Sequence, residues 1–159
     1  MFHSGFYSQY DIVGYLEGKP DDAKTIILDE FPITSFTGLP LQRFYNLRCL
    51  SANACGLTSV VGLPLMPNLT FLQLNDNRLG FAENNPQLAA LARTTPNLKR
   101  LTLANNGIIT VQQLEPLKNL PALRTVDLYS NTVTRAHHRQ LVLAVPQVVR
   151  WDGDGGDFE

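Results

Sequence analysis

Leu69-Thr70-Phe71-Leu72-Gln73-Leu74-Asn75-Asp76-Asn77-Arg78-Leu79 carries leucine at its first, fourth, sixth and eleventh positions and asparagine at its ninth. The same frame recurs as Leu98, Leu101, Leu103, Asn106 and Ile108, and as Leu123, Val126, Leu128, Asn131 and Val133. Two looser copies precede these: Leu47, Leu50, Ala52, Cys55, Leu57, and Ala23, Ile26, Leu28, Phe31, Ile33. The copies start at residues 23, 47, 69, 98 and 123, so the intervals are 24, 22, 29 and 25 residues.

A period of 20 to 29 residues with this Leu/Asn frame is the mark of a leucine-rich repeat solenoid. The expected fold is therefore α/β: a right-handed solenoid with a parallel sheet on the concave side, short helices and turns on the convex side, and a cap at each end. Side chains alternate faces along a strand. Leu72 and Leu74 should point into the core, while Phe71, Gln73 and Asn75 point outward. No single repeat can bury its own apolar face, so stacked repeats must share one core.

The asparagines have a mechanical task. After each strand the chain turns inward and takes backbone N–H and C=O groups away from water. A side-chain amide supplies both donors and acceptors, so Asn77, Asn106 and Asn131 should tie the turns of neighbouring repeats. Each group left unpaired would cost about 1–3 kcal/mol. Cys55 takes the equivalent position in the second copy and Phe31 in the first, where the ladder ends.

Between the strands the segments vary. Asn85 reads as an N-cap and Pro86 as the first helical residue, with Leu88, Leu91 and Ala92 on the apolar face. Thr110 and Gln113 fit a capping box, and Pro116 should limit that helix to about one turn. Residues 134–145 read as a last helix with Leu141, Val142 and Val145 inward. Tyr10 to Leu16, with Ile12, Val13 and Leu16 apolar, reads as an N-terminal capping helix. Val148 and Trp151 continue the phase as a half repeat. The expected organisation is an N-terminal segment over 1–18, the repeat domain over 19–153, and a short acidic flexible end over 154–159.

Composition narrows the function classes. The chain has 159 residues and a net charge of −1, with 44% hydrophobic and 17% charged residues. That suits a folded domain and gives no basic footprint for nucleic acid. No apolar run approaches the roughly 20 residues that span a bilayer. The first five residues do not read as a secretory signal. Cys49 and Cys55 should face opposite sides of the sheet and stay unpaired, which points to a reducing compartment. Adjacent His137 and His138 point about 100° apart on a helix, and the spacing of Asp152, Asp154 and Asp157 does not make a calcium loop. No metal site, no cofactor and no catalytic constellation is expected, and a monomer is the expected state.

Binding residues follow from the alternation. The three outward columns are Thr25, Cys49, Phe71, Arg100, Thr125 and Arg150; Ile27, Ser51, Gln73, Thr102, Asp127 and Asp152; and Asp29, Asn53, Asn75, Ala104 and Tyr129. Exposed aromatics and arginines are typical interface anchors. The candidate contacts are therefore Phe71, Gln73, Asn75, Arg100, Thr102, Asp127, Tyr129 and Arg150. A simple pairing of Arg100 with Asp127 is the competing reading of that part of the surface.

Several segments occur in a characteristic order: Lys19 to Asp29, Gly56-Leu57-Thr58-Ser59, Leu63-Pro64, Leu74 to Leu79, Pro96-Asn97-Leu98, Leu114 to Lys118, Asp127-Leu128-Tyr129, and Val145 to Gly153. Together they resemble the leucine-rich domain of the acidic leucine-rich nuclear phosphoprotein family over roughly residues 19–153. The resemblance implies inhibition of protein phosphatase 2A, histone binding with masking of acetylation, and residence in both nucleus and cytoplasm. Two departures stand out. The stretch from Gly80 to Pro86 is a few residues longer than the family pattern. In place of a long acidic tail there are only Asp152, Asp154, Asp157 and Glu159. The ending Thr134 to Arg139 with Val145-Pro146-Gln147-Val148 is also similar to the spliceosomal U2 snRNP A-prime protein, which implies an alternative role in binding an RNA-binding protein and RNA. The opening from Lys19 to Asp29 favours the first family.

Overall fold

A computed structural model describes residues 9–81, 86–133 and 137–152. Six short strands, β1 (Thr25–Ile27), β2 (Cys49–Ser51), β3 (Phe71–Gln73), β4 (Arg100–Thr102), β5 (Thr125–Asp127) and β6 (Arg150–Asp152), form one parallel sheet in chain order. The pairing never slips: Ile26, Leu50, Leu72, Leu101, Val126 and Trp151 stand side by side across the sheet. These central residues are all buried. One-residue slippage would turn each of them to the solvent face, so the buried set fixes the register. The half repeat read from Val148 and Trp151 is the sixth strand.

One continuous core runs the length of the solenoid, from Ile12 and Leu16 to Val148 and Trp151. Leu101 lies at its centre with no exposed surface. Leu101→Ala should lower the unfolding free energy by about 2–5 kcal/mol, since it removes the Cγ and both Cδ atoms from a site enclosed on both sides. Urea unfolding would show the loss, and a cost below 1 kcal/mol would mean that the repeats do not share their packing.

The asparagine ladder forms as the sequence requires. Asn77 Oδ1 accepts from the N–H groups of Cys55, Gly56 and Leu57 at 3.1, 3.1 and 3.0 Å. Its Nδ2 donates to Ala52 O at 2.8 Å and Leu74 O at 3.0 Å. Asn106 Nδ2 donates to Leu74 O and Asn131 Nδ2 to Leu103 O, both at 2.8 Å. Asn131 Oδ1 accepts from Asn106 N and Ile108 N, both at 3.0 Å. At the equivalent place Cys55 Sγ donates to Leu28 O at 3.1 Å. A thiol suffices there for a local reason. Pro32 has no N–H to satisfy, and Ile33 N–H reaches Cys55 O at 3.2 Å. Burial, and secondarily the Asp29 charge, pushes the Cys55 thiol up to about 12. It stays a protonated donor at neutral pH. Cys49 is shifted upward by the same causes, and both cysteines are free.

Two residues before each ladder position the chain leaves the strand direction, and one residue later it enters a left-handed turn. Glu30, Ala54, Asp76, Asn105 and Ser130 all have φ between 52° and 66°. Only asparagine and aspartate take that conformation with ease among non-glycine residues. Five such residues at one phase of the repeat show that the inward turn is imposed by the stacking.

The convex side departs from expectation in two places. Residues Val111–Asn119 form a single nine-residue 3₁₀ helix that runs through Pro116. The spacing of Leu114, Leu117 and Leu120, all fully buried, explains it. A helix with 3.0 residues per turn lines up positions three apart, which an α-helix would not. The capping box is present, with Thr110 N–H donating to Gln113 Oε1 at 3.0 Å. In the helix α3 (His138–Ala144) Leu141 and the following Val145 point inward, but Val142 is exposed. Residues 141 and 145 share a helix face, and 142 lies about 100° away from it.

Helix α2 (Pro86–Thr94) buries Leu88 and Leu91 as the pattern indicated; the expected cap at Asn85 lies outside the described residues, as do 134–136 and the acidic end at 154–159. Helix α1 (Gln9–Glu17) closes the N-terminal end with Ile12 and Leu16. Arg43 ties the segment after it to the first repeat, donating to Asp21 Oδ1 at 2.6 Å and Lys19 O at 3.0 Å, and reaches Leu16 O of the helix at 3.5 Å. Phe31, at the first ladder position, packs on Tyr15 of α1 with ring centroids 5.4 Å apart.

Candidate protein-binding face

The outward side chains of the strands fall into the columns read from alternation. Thr25, Cys49, Phe71, Arg100, Thr125 and Arg150 are neighbours in register, as are Ile27, Ser51, Gln73, Thr102, Asp127 and Asp152. Their surroundings divide the face into two halves.

The C-terminal half carries the large side chains. Arg100 lies over the Phe71 ring, its guanidinium carbon 4.7 Å from the ring centroid. A guanidinium on an aromatic face is attracted by the ring quadrupole, so the two form one flat platform. Asp127 is engaged elsewhere, with its Oδ1 accepting from Tyr129 N–H at 2.9 Å. The Tyr129 side chain stands outward, 55% exposed. Arg150 Nε donates to Asp152 Oδ1 at 2.8 Å along the outward face of the last strand.

The N-terminal half is a polar network. Asp29 Oδ1 accepts from Ser51 Oγ at 2.6 Å and from Asn53 N–H at 2.9 Å. Asn53 Nδ2 donates to Ser51 Oγ at 3.0 Å and Gln73 Oε1 at 3.3 Å. The third column continues the sheet by side chain: Asn75 N–H donates to Asn53 Oδ1 at 2.8 Å, and Ala104 N–H to Asn75 Oδ1 at 2.9 Å. Asn75 and Gln73 are thus tied into the scaffold and only half exposed. Reading both simply as contact residues missed this bonding. A run of Asp, Asn and Asn in one column, each just before a left-handed residue, was the available signal.

Thr102 is the clear departure among the candidate contacts. It stands in the outward column, yet it is 4% exposed and its Oγ1 has no partner among the described residues. Its short side chain sits in register between Gln73 and Asp127, which stand taller on either side. Ser51 is buried in the same column. Strand alternation gives direction, but residue size decides which outward positions reach solvent.

The comparisons with known proteins agree with this architecture. The leucine-rich repeat family model matches residues 38–152. The chain belongs to the leucine-rich repeat family. Within it, the chain is related to the acidic leucine-rich nuclear phosphoproteins, as the sequence resemblance indicated. It is 34% identical over 149 residues to acidic leucine-rich nuclear phosphoprotein 32-related protein 1 of Caenorhabditis elegans, covering 90% of this chain and 63% of that protein. It is 32% identical over 114 residues to the related protein 2 of the same organism, covering 72% and 48%. The chain therefore spans about half to two thirds of the lengths of these relatives. Among solved structures, a chain of the Drosophila melanogaster SNF/U2A' complex superposes with a TM-score of 0.69 at 24% identity, covering 80% of this chain and 71% of that one. Internalin C2 of Listeria monocytogenes gives 0.55 at 18%, covering 84% and 62%. These two show a shared fold.

Proposed function

We propose that this chain is a non-enzymatic interaction module that engages a protein partner through the C-terminal half of its concave sheet. The observation that carries this reading is the Phe71–Arg100 platform beside outward-turned Tyr129. Aromatic and arginine side chains dominate the energetics of protein interfaces. The rigid sheet beneath them lowers the ordering cost of binding. Asp127 and Arg150 frame the platform, while Gln73 and Asn75 hold the sheet beside it.

The relatives' name supports the nucleus as the proposed site of action. The resemblance to their family supports protein phosphatase 2A or core histones as the partner. The acidic residues on the described face are few, so the histone reading rests on shape and hydrogen bonding more than on net charge.

Purified phosphatase 2A and core histones should be titrated against the chain and against a Phe71→Ala/Arg100→Ala/Tyr129→Ala variant. Loss of a hot-spot cluster costs about 2 kcal/mol or more, so Kd should rise roughly thirtyfold or beyond. An unchanged Kd for a variant that keeps its Tm would exclude this surface. Recovery of a small RNA with an RNA-binding protein from native extract, in place of phosphatase or histones, would favour the alternative role.

A further inference from the structure

The residue just before each strand belongs to a further row across the sheet. Backbone hydrogen bonds keep that row in register: Arg48 N–H donates to Lys24 O at 2.8 Å, and Thr70 N–H to Arg48 O, Lys99 N–H to Thr70 O and Arg124 N–H to Lys99 O, each at 2.9 Å. Lys24, Arg48, Lys99 and Arg124 are all exposed. Thr70 is the uncharged step among these five, and Arg100 covers for it. The Arg100 guanidinium lies back over the ring of Phe71, the residue next to Thr70. A positive charge therefore stands at the start of every strand from β1 to β5.

Charge is segregated along the strands. The segments that lead into β2 to β6, residues 43–48, 65–70, 94–99, 119–124 and 144–149, contain no aspartate or glutamate. The lead-in to β1 has Asp22 and Asp21, the latter held by Arg43. Carboxylates collect instead at or beyond the other ends of the strands, at Asp29, Asp76, Asp127 and Asp152. Lys24, Arg48 and Lys99 enter no ion pair among the described residues. Arg124 Nη1 donates to the backbone, to Pro121 O at 2.8 Å and Leu123 O at 2.9 Å. Like charges side by side on neighbouring strands destabilise a sheet, and this row has nothing of its own chain to relieve them.

We propose that the row seats an acidic segment of a protein partner along the strand-start edge of the concave sheet. Four intervals of about 4.8 Å make it about 19 Å long, the span of about six extended residues. Carboxylates on such a segment would meet one cation at each repeat. A nucleic-acid duplex fits less well. From Arg124 to Asp127 is three residues, about 10 Å along the strand, so the basic strip is narrow and a second phosphate strand would overlie the acidic ends. The net charge of −1 also gives no overall attraction to phosphate. The row shares Arg100 with the platform, but it rests on the cations beside it.

Fluorescence anisotropy with labelled oligoglutamate, oligoglutamine and oligouridylate of equal length tests it. Oligoglutamate should bind at low salt and weaken as ionic strength rises, and oligoglutamine should not bind. Lys24→Gln/Arg48→Gln/Lys99→Gln should raise the oligoglutamate Kd roughly three- to thirtyfold, the size expected for three exposed charge pairs. Arg93→Gln/Lys118→Gln/Arg139→Gln removes the same charge from the convex helices and should cost much less. Tyr129→Ala should leave oligoglutamate binding unaltered, which separates failure here from failure of the platform. Equal losses in the two triple variants would reduce the effect to net charge and overturn the proposal. So would a lack of oligoglutamate binding, or tighter binding of oligouridylate, which would reassign the row to nucleic acid.

Discussion

Asn77→Ala is expected to lower the unfolding free energy by about 3–5 kcal/mol, far more than the loss of an average side chain. The amide serves six backbone groups at once: three N–H groups of the preceding turn and the carbonyls of Ala52, Leu74 and Asn75. Each buried group left without a partner costs about 1–3 kcal/mol. Relaxation and water entry will recover part of the sum, which sets the lower end of the range. Asn97→Ala provides the contrast. Asn97 Nδ2 also bonds a neighbouring repeat, donating to Pro67 O at 2.7 Å, but in an exposed setting. Its loss should cost about 1 kcal/mol. Equal destabilisation of the two variants in urea would show that the ladder is not the fastening between repeats.

Trp151→Ala should be as damaging, at about 3–5 kcal/mol, because it empties the place of a large, almost fully buried ring. Trp151 is paired with Val126 and covers the open end of the core. Its effect should spread inward, since each repeat is stabilised chiefly by its neighbours. The unfolding transition should then broaden as well as move. Trp151→Phe should cost only about 1 kcal/mol by comparison, because the indole Nε1 has no partner among the described residues and nothing is lost with it. If the alanine and phenylalanine variants proved equally stable, the sixth strand would be an appendage and not a cap.

The register of the sheet was legible in the sequence because leucine spacing and strand alternation both depend on local geometry. The positions of Ile26, Leu50, Leu72 and Leu101 allow one alignment that buries them all. The ladder asparagines were legible for the same reason, each lying at a fixed distance from its own leucines. The convex side was harder. Pro116 suggests a helix break, and the three-residue spacing of Leu114, Leu117 and Leu120 outweighs it only when the 3₁₀ form is considered. Burial of Thr102 depends on neighbours one repeat away on either side. The open cavity at the N-terminal end, lined by Asp11, Tyr15, Asp29, Glu30 and Phe31, was not legible at all. It needs Asp11 and Tyr15 to meet Glu30 and Phe31, a juxtaposition made by the docking of α1.

The unslipped register has a dimensional consequence. Adjacent strands in a sheet lie about 4.8 Å apart, and an α-helix climbs 5.4 Å per turn. A partner helix laid across the six strands would present roughly one turn to each repeat, drifting by about half an ångström per step. Over the five intervals of this sheet the drift sums to about 3 Å, roughly half a turn, so a straight helix in phase with one end of the sheet reaches the other end out of phase. A rigid partner helix would therefore register with a few neighbouring repeats at a time, whereas an extended segment that follows the strand spacing would meet each repeat alike.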